Sequence, residues 1–460
     1  MSADIFERCT PIAAPAAAVF RWHARPGALE RLTPPWTRVH VLERHGGIED
    51  GARVVFDIPL GPTRVRWVAE HRDYIDGRQF RDVQIEGPFA KWEHTHRVEP
   101  DGPTACVLED HIEYALPMGA AGALVGGPFV RRMLERMFAY RHRTTADDLA
   151  THAAYPGAPL DVAVSGASGL VGAALVPFLT TGGHRVRRLV RARPQPDSDT
   201  IVWDPQAGTI DTAALAGVSA VVHLAGESVA GGRWTDARKA RIRDSRTRGT
   251  RLLCETLASL SPRPATLVSA SAIGYYGDRG AEQLDEQSTS GRGFLAEVCR
   301  QWEEATAPAV AAGIRVVHLR IGVVLSPAGG ALATMLPPFQ VGAGGRLGAG
   351  TQYMSWISID DLLGTILHTL RTEGLRGPVN AVAPRPMSNA EFTRGLGRVL
   401  ARPTFLPVPA AVLRLALGEM AGEMLLGGAC VRPARLLESG YRFRHPDLES
   451  ALRHVLGKTV

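Results

Sequence analysis

The nine residues VSGASGLVG (164–172) constrain this chain more than any other stretch. They complete an apolar run, DVAVSG (161–166), and lead into the apolar pattern of a helix. Gly166, Gly169 and Gly172 stand in G-x-x-G-x-x-G spacing, with Ser168 and Leu170 between them. At a strand-to-helix turn the first glycine permits the tight bend and the second lets backbone approach a pyrophosphate. The third packs helix against strand, and the helix N-terminus supplies free N–H groups at a positive dipole end. Spacing and context together predict a dinucleotide-binding turn on these residues.

The following residues extend the pattern. RVRRLVR (185–191), SAVVHLAG (219–226), ATLVSASA (265–272) and IRVVHLRIGVVL (314–325) are compact apolar runs with helical patterns between them. Such alternation predicts a doubly wound parallel sheet, a Rossmann-like α/β fold. Where the second strand ends, an NAD site would place an acid for the ribose hydroxyls, but this chain has Arg191 and Arg193. Two cations suit a 2′-phosphate, so NADP is expected ahead of NAD. Asp204, in VWDP, is placed to meet the adenine amine. Leu224, Ala225 and Gly226, in HLAGE, leave room for the cofactor's ribose. Ser269 and Arg320, near the ends of later strands, complete the expected cofactor set.

Before this region, residues 1–153 read differently. RVRWVAEHRDY (64–74), RQFRDVQIEG (78–87), AKWEHTHRVE (90–99) and ACVLEDHIEYALP (105–117) are strand-length runs separated by Gly-Pro and Asp-Gly turns, the pattern of an antiparallel meander. A helix over 129–152 follows, with Phe129, Met133, Met137 and Tyr140 as its apolar stripe. Trp92, His94 and His96 share a strand face, but no carboxylate or third histidine joins them at ligand spacing. No metal site is therefore expected. Asp110, among apolar neighbours, reads as a structural carboxylate or a polar anchor inside a cavity. AAYPGAPL (153–160) reads as a linker, 160–402 as the Rossmann domain, and 403–460 as a small helical domain.

With 460 residues the chain is too long for one core. Its net charge of +6 comes from scattered arginines without a basic run, which argues against nucleic acid. No apolar stretch is long and uninterrupted enough for a membrane span. Five well-separated cysteines without a CxxC pair fit reduced thiols, so a cytoplasmic location is expected.

SGASGLVG, VWDP, HLAGES, SASAIGYYGDRG, GFLAEVCRQWE, LRIGVVLS, YMSWISIDDL and GYRFRHPDLESAL together resemble one family. It is the atypical extended short-chain dehydrogenase/reductase group labelled epimerase family, with a small C-terminal domain of the DUF1731 type. The N-terminal layout, with short helices near 15–32 and a long closing helix, resembles START-like, polyketide-cyclase-like (SRPBCC) helix-grip domains. That second resemblance implies a hydrophobic ligand. The first implies an NADP-dependent oxidoreductase or epimerase-like enzyme acting on a small carbonyl or hydroxyl compound.

In ordinary relatives a serine ending the fifth strand polarises the substrate oxygen, and Ser271 occupies that place. A Tyr-x-x-x-Lys helix should then supply the proton. The corresponding stretch, GRGFLAEVCRQWEEA (291–305), has neither tyrosine nor lysine. Tyr275, Tyr276 and Glu227 are the candidate substitutes, with Lys239 behind them. The missing pair keeps open a second reading, a non-catalytic NADP(H)-binding sensor or ligand-binding protein. Substrate and oligomeric state are not encoded in any motif identified.

Overall fold

In the computed structural model, which describes residues 3–458 apart from 38, 61–62 and 192–198, the chain forms two compact units. The first comprises 1–157 with 177–183 and 456–460, and the second comprises 158–176 with 184–455.

The first unit is a seven-stranded antiparallel sheet. Its strands are β1 (Asp4–Ile12), β2 (His40–His45), β3 (Arg53–Leu60), β4 (Thr63–Ile75), β5 (Gln79–Glu86), β6 (Lys91–Pro100) and β7 (Cys106–Ala115). They are ordered β1-β7-β6-β5-β4-β3-β2. Consecutive strands pair because tight turns join them, and Gly77 between β4 and β5 adopts a φ of 72° that a side chain would strain. Two short helices, Ala16–Ala24 and Ala28–Leu32, precede β2, and the helix Gly119–Ala153 closes the unit.

That closing helix is longer than expected, and the expected stripe holds at Met137 and Tyr140, which pack inward, but fails in its first half. Phe129 and Met133 are 71% and 41% exposed, whereas Val130, Leu134 and Phe138 are buried against Phe6, Trp92 and Ile112. Two apolar stripes one position apart compete in the sequence. The buried one continues at i+4 spacing to His142, whose Nε2 lies 2.5 Å from Asp110 Oδ2 on β7. A polar contact selects the helix face.

The second unit is built on an eight-stranded sheet. Its labelled strands are β8 (Asp161–Ser165), β9 (Arg185–Val190), β10 (Thr200–Asp204), β11 (Thr209–Ile210), β12 (Ala220–His223) and β13 (Thr266–Ala272). Their order is β11-β10-β9-β8-β12-β13, continued by Arg315–Ile321 and Gly377–Ala381, and all neighbours except β10 and β11 are parallel. β8 and β12 are neighbours but β9 lies on the other side of β8, so the winding reverses between β8 and β12. Open α/β sheets bind ligands beyond the strand ends at such a switch point. The VSGASGLVG turn lies there.

The segment after 402 is less uniformly helical than its sequence pattern. Helices Ala410–Leu417, Ala434–Glu438 and Leu448–Val455 are present, but Cys430–Val431 pairs in parallel with Gln283–Leu284. Among the described residues, no helix is long and apolar enough to cross a membrane.

Candidate functional site

The three glycines of the turn are small for different reasons. Gly166 has a φ of 69°, and a Cβ there would stand 2.8 Å from the carbonyl carbon of Leu224. A Cβ on Gly172 would stand 2.2 Å from the Gly166 carbonyl oxygen. Both clash with the protein's own backbone. A Cβ on Gly169 would meet only the Gly166 oxygen, at 3.3 Å, and Gly169 and Ser168 are exposed. Gly169 is thus the least constrained by the protein itself, and its exposed face is where a bound pyrophosphate would lie. The residues of the turn fit a dinucleotide.

The facing wall of the cleft is fixed by a buried network. Ser165 Oγ accepts from the N–H groups of Leu224 and Ala225 at 3.1 and 3.3 Å and lies 2.6 Å from His223 Nδ1. His223 Nε2 lies 2.9 Å from Thr250 Oγ1, which also accepts from Trp302 Nε1. Burial pushes the His223 imidazole down to about 4, so it is neutral and bonds both hydroxyls as one donor and one acceptor. The chain thereby presents Leu224, Ala225 and Gly226 beside the glycine turn.

The remaining cofactor candidates are placed less evenly. Arg191 is exposed at the end of β9, and Arg193 lies outside the described residues. Asp204 Oδ1 accepts from the N–H groups of Gln206 and Ala207, which commits it to its own turn. Ser269 is 1% exposed on β13. Leu170 borders Gly329 and Gly330, where a Cβ would stand 3.3 and 3.2 Å from its methyl carbons. Arg320 is buried in an ion pair, so its guanidinium belongs to the protein rather than to a free anion site.

Its partner is the residue that sequence reasoning missed. Glu303, near the end of the helix Phe294–Glu304, accepts from Arg320 Nε and Nη2 at 2.8 Å each. The same carboxylate accepts the Ser271 hydroxyl proton at 2.7 Å. The stretch that lacks tyrosine and lysine thus supplies an acid to the strand serine. Burial alone would lower the Arg320 guanidinium, but hydrogen bonds and charge from Glu303, with Tyr276, raise it above its ordinary value. Its Cζ lies 3.4 Å from the centroid of the Tyr275 ring, a close cation–π contact.

The two candidate phenols separate sharply. Tyr276 is fully buried, accepts from Arg320 Nη1 at 3.0 Å, and has its oxygen 2.8 Å from Asn380 Oδ1 and 2.9 Å from the Asp285 carbonyl. Burial pushes its phenol up to about 12 against the opposing pull of Arg320. A hydroxyl so buried and engaged is poorly placed to give a proton to a ligand. Tyr275 is only half-buried, and among the described residues nothing hydrogen-bonds its hydroxyl.

Glu227 is exposed, whereas acid–base work was expected of it if buried; its backbone N–H donates to Ser245 and its carbonyl accepts from Arg246. Lys239 is paired with Glu419 and lies over the Phe294 ring. Phe294 and Leu295 open their helix with N–H groups capped by Glu423, so they serve as wall and helix start.

Three family models match the chain. The model for polyketide cyclase/dehydrase and lipid transport proteins matches 12–138, that for the NAD dependent epimerase/dehydratase family 162–381, and the DUF1731 domain of unknown function 408–455. An epimerase family protein of Mycobacterium bovis is 46% identical over 294 residues, covering 64% of this chain and 97% of that protein. A solved structure described as a nucleoside-diphosphate sugar epimerase from Corynebacterium glutamicum superposes with a TM-score of 0.81. It is 36% identical and covers 98% of this chain and 90% of its own. The human epimerase family protein SDR39U1, solved with NADPH, gives a TM-score of 0.61 at 34% identity, covering 65% of this chain and all of that one. With a glycine turn, a switch-point sheet and relatives matched over nearly their whole length, this chain belongs to the epimerase family.

Proposed function

We propose that the second unit is an NADP(H)-dependent oxidoreductase or epimerase-like enzyme acting on a small carbonyl or hydroxyl compound. The observation that carries this reading is the group Ser271–Glu303–Arg320–Tyr275 at the C-terminal end of β13, on the same side of the sheet as the glycine turn. When bound, the nicotinamide supplies or accepts hydride at its C4. The chain's own residues do the rest. Ser271 holds the substrate oxygen, turning its hydroxyl from Glu303 toward the ligand. Arg320, held by Glu303, keeps a positive charge under the Tyr275 ring. Tyr275, half-buried and held against that guanidinium, is the phenol proposed to give or take a proton where a Tyr–Lys pair does so in ordinary relatives.

Preference for NADP rests on Arg191 and on the relative solved with NADPH. The sugar-nucleotide epimerase description of the Corynebacterium structure makes sugar-like carbonyl compounds the first substrates to test. A small-molecule ligand of apolar character is proposed for the first unit on its polyketide-cyclase and lipid-transport match. One observation favours a non-catalytic sensor instead: Ser271 is 2% exposed and its proton is already engaged. Following NADPH oxidation at 340 nm over a panel of carbonyl compounds separates the two. Turnover that Ser271→Ala abolishes supports the enzyme; because epimerisation consumes no net NADPH, the same compounds are also followed for stereochemical inversion, and tight NADPH binding with neither oxidation nor inversion across the panel supports the sensor.

A further inference from the structure

The first unit gathers a histidine–carboxylate cluster that sequence spacing concealed. His94 and His96 on β6 have ring centroids 3.8 Å apart. Asp82, from β5, places Oδ2 3.0 Å from His94 Nδ1 and 3.3 Å from His96 Nε2. On the other side Asp110, from β7, places Oδ1 2.8 Å from His94 Nε2 and 2.6 Å from His96 Nδ1. Asp110 is itself anchored by His142, which lies 2.8 Å from Thr10 Oγ1. His94 and His96 are buried, and the Asp82 side chain is 19% exposed.

All four ring nitrogens therefore lie within 3.3 Å of a carboxylate oxygen, and His94 Nδ1 and His96 Nε2 share the single oxygen Asp82 Oδ2. His96 Nδ1, although 2.6 Å from Asp110 Oδ1, is off the hydrogen-bonding direction and among the described residues has no hydrogen-bond partner.

We infer that Asp82, His94 and His96 form a binding site for a divalent transition-metal ion. One donor atom from each of the three lies within 4.8 Å of the other two. Donors about 2.0–2.1 Å from a tetrahedral metal are spaced about 3.3 Å apart, which matches the two Asp82–histidine separations. Binding uses the lone pairs of His94 Nδ1 and His96 Nε2, so any proton on either nitrogen is released to solvent as the ion enters. Two imidazoles and one carboxylate suit zinc or iron(II) rather than calcium or magnesium. Asp110 then takes the outer position, accepting from His94 Nε2–H and fixing which nitrogen faces the metal. The accessible side at Asp82 leaves coordination positions for a ligand oxygen or water.

The test uses the full chain, without a histidine tag, stripped with chelator and titrated with Zn2+ and Co2+. About one equivalent per chain is expected after dialysis, with Co2+ giving visible d–d absorption. Asp82→Asn and His96→Gln should each weaken binding at least tenfold while NADPH titration by fluorescence stays unchanged. Asp82→Asn is nearly isosteric and keeps the test open if a histidine variant does not fold. Retention below about a tenth of an equivalent by the wild type overturns the site. So does wild-type retention by a folded Asp82→Asn chain, since the metal then sits elsewhere.

Discussion

Ser271 and Glu303 are joined by a 2.7 Å hydrogen bond from hydroxyl to carboxylate, linking the end of β13 to the helix that lacks the family's proton-donating pair. Glu303 also holds Arg320 through both of its oxygens. Truncating one partner of a buried pair leaves an uncompensated charge and costs about 3–5 kcal/mol, less when an amide keeps part of the hydrogen bonding. Glu303→Gln should therefore lower stability by about 2–3 kcal/mol in urea unfolding. Arg320, 3% exposed, is the charge left unpaired. An unchanged unfolding midpoint would show that the network contributes nothing.

The glycine turn makes a graded prediction. Gly169→Val meets only the Gly166 carbonyl oxygen, at 3.3 Å, a contact that a small shift relieves, so the chain should fold and lose NADPH binding. Gly172→Val drives its Cβ into the Gly166 carbonyl and should destabilise the unit itself. Thermal unfolding and NADPH fluorescence separate the two outcomes. Full-strength binding by folded Gly169→Val would remove the pyrophosphate from this turn.

Arg191 stands exposed at the end of β9, where a 2′-phosphate would reach it. A charge-assisted contact is worth about 1.5–3 kcal/mol, or roughly ten- to a hundredfold in affinity. NADPH should bind tighter than NADH by that order, and Arg191→Ala should erase most of the difference. Equal dissociation constants in the wild type would refute the preference.

His223 gives a pH signature with a definite sign. Its folded value of about 4 lies below the ordinary histidine value, so the unfolded chain binds the extra proton first on acidification. Its neutral form supports the fold fully above about pH 6.5, and stability falls as pH drops from there toward 4. The loss is on the order of 3 kcal/mol across that window. His223→Gln should flatten this part of the pH profile of unfolding. An unaltered slope would mean that His223 is charged in the folded chain.

What the sequence made legible has a common cause. β8, β9, β12 and β13 and the turn at 166–172 are written in local periodicity and in the spacing of three glycines within one short stretch. Glu303 was not legible, because its meaning depends on Ser271 and Arg320, brought to it by adjacent parallel strands. Asp82 was missed, and Asp110 was read without its histidine partners, for the same reason: each meets His94 and His96 across a strand pair, not along one. The helix stripe, right at Met137 and Tyr140, failed differently in its first half. Phe129 and Met133 outscored Val130 and Leu134 in apolar bulk, while the contact that decides the face is His142 to Asp110.

The last prediction concerns the two neighbouring phenols, whose fates should cross. Tyr275 has an unengaged hydroxyl and a guanidinium carbon 3.4 Å from its ring centroid, whereas the Tyr276 hydroxyl is buried among Arg320, Asn380 and Asp285. If Tyr275 moves the proton, Tyr275→Phe should cut turnover by about 10²–10⁴-fold, the usual contribution of a general acid, with NADPH binding and stability intact. Tyr276→Phe should do the reverse. It removes a hydroxyl that bonds buried groups, so it should cost about 1–3 kcal/mol of stability and leave the rate of folded enzyme within a few-fold of wild type. Unfolding curves and initial rates on one active carbonyl substrate read both effects. Full rate in Tyr275→Phe would end its assignment as the displaced phenol. A rate lost only in Tyr276→Phe would mean that the buried hydroxyl, through Arg320, sets the charge that the substrate oxygen meets at Ser271.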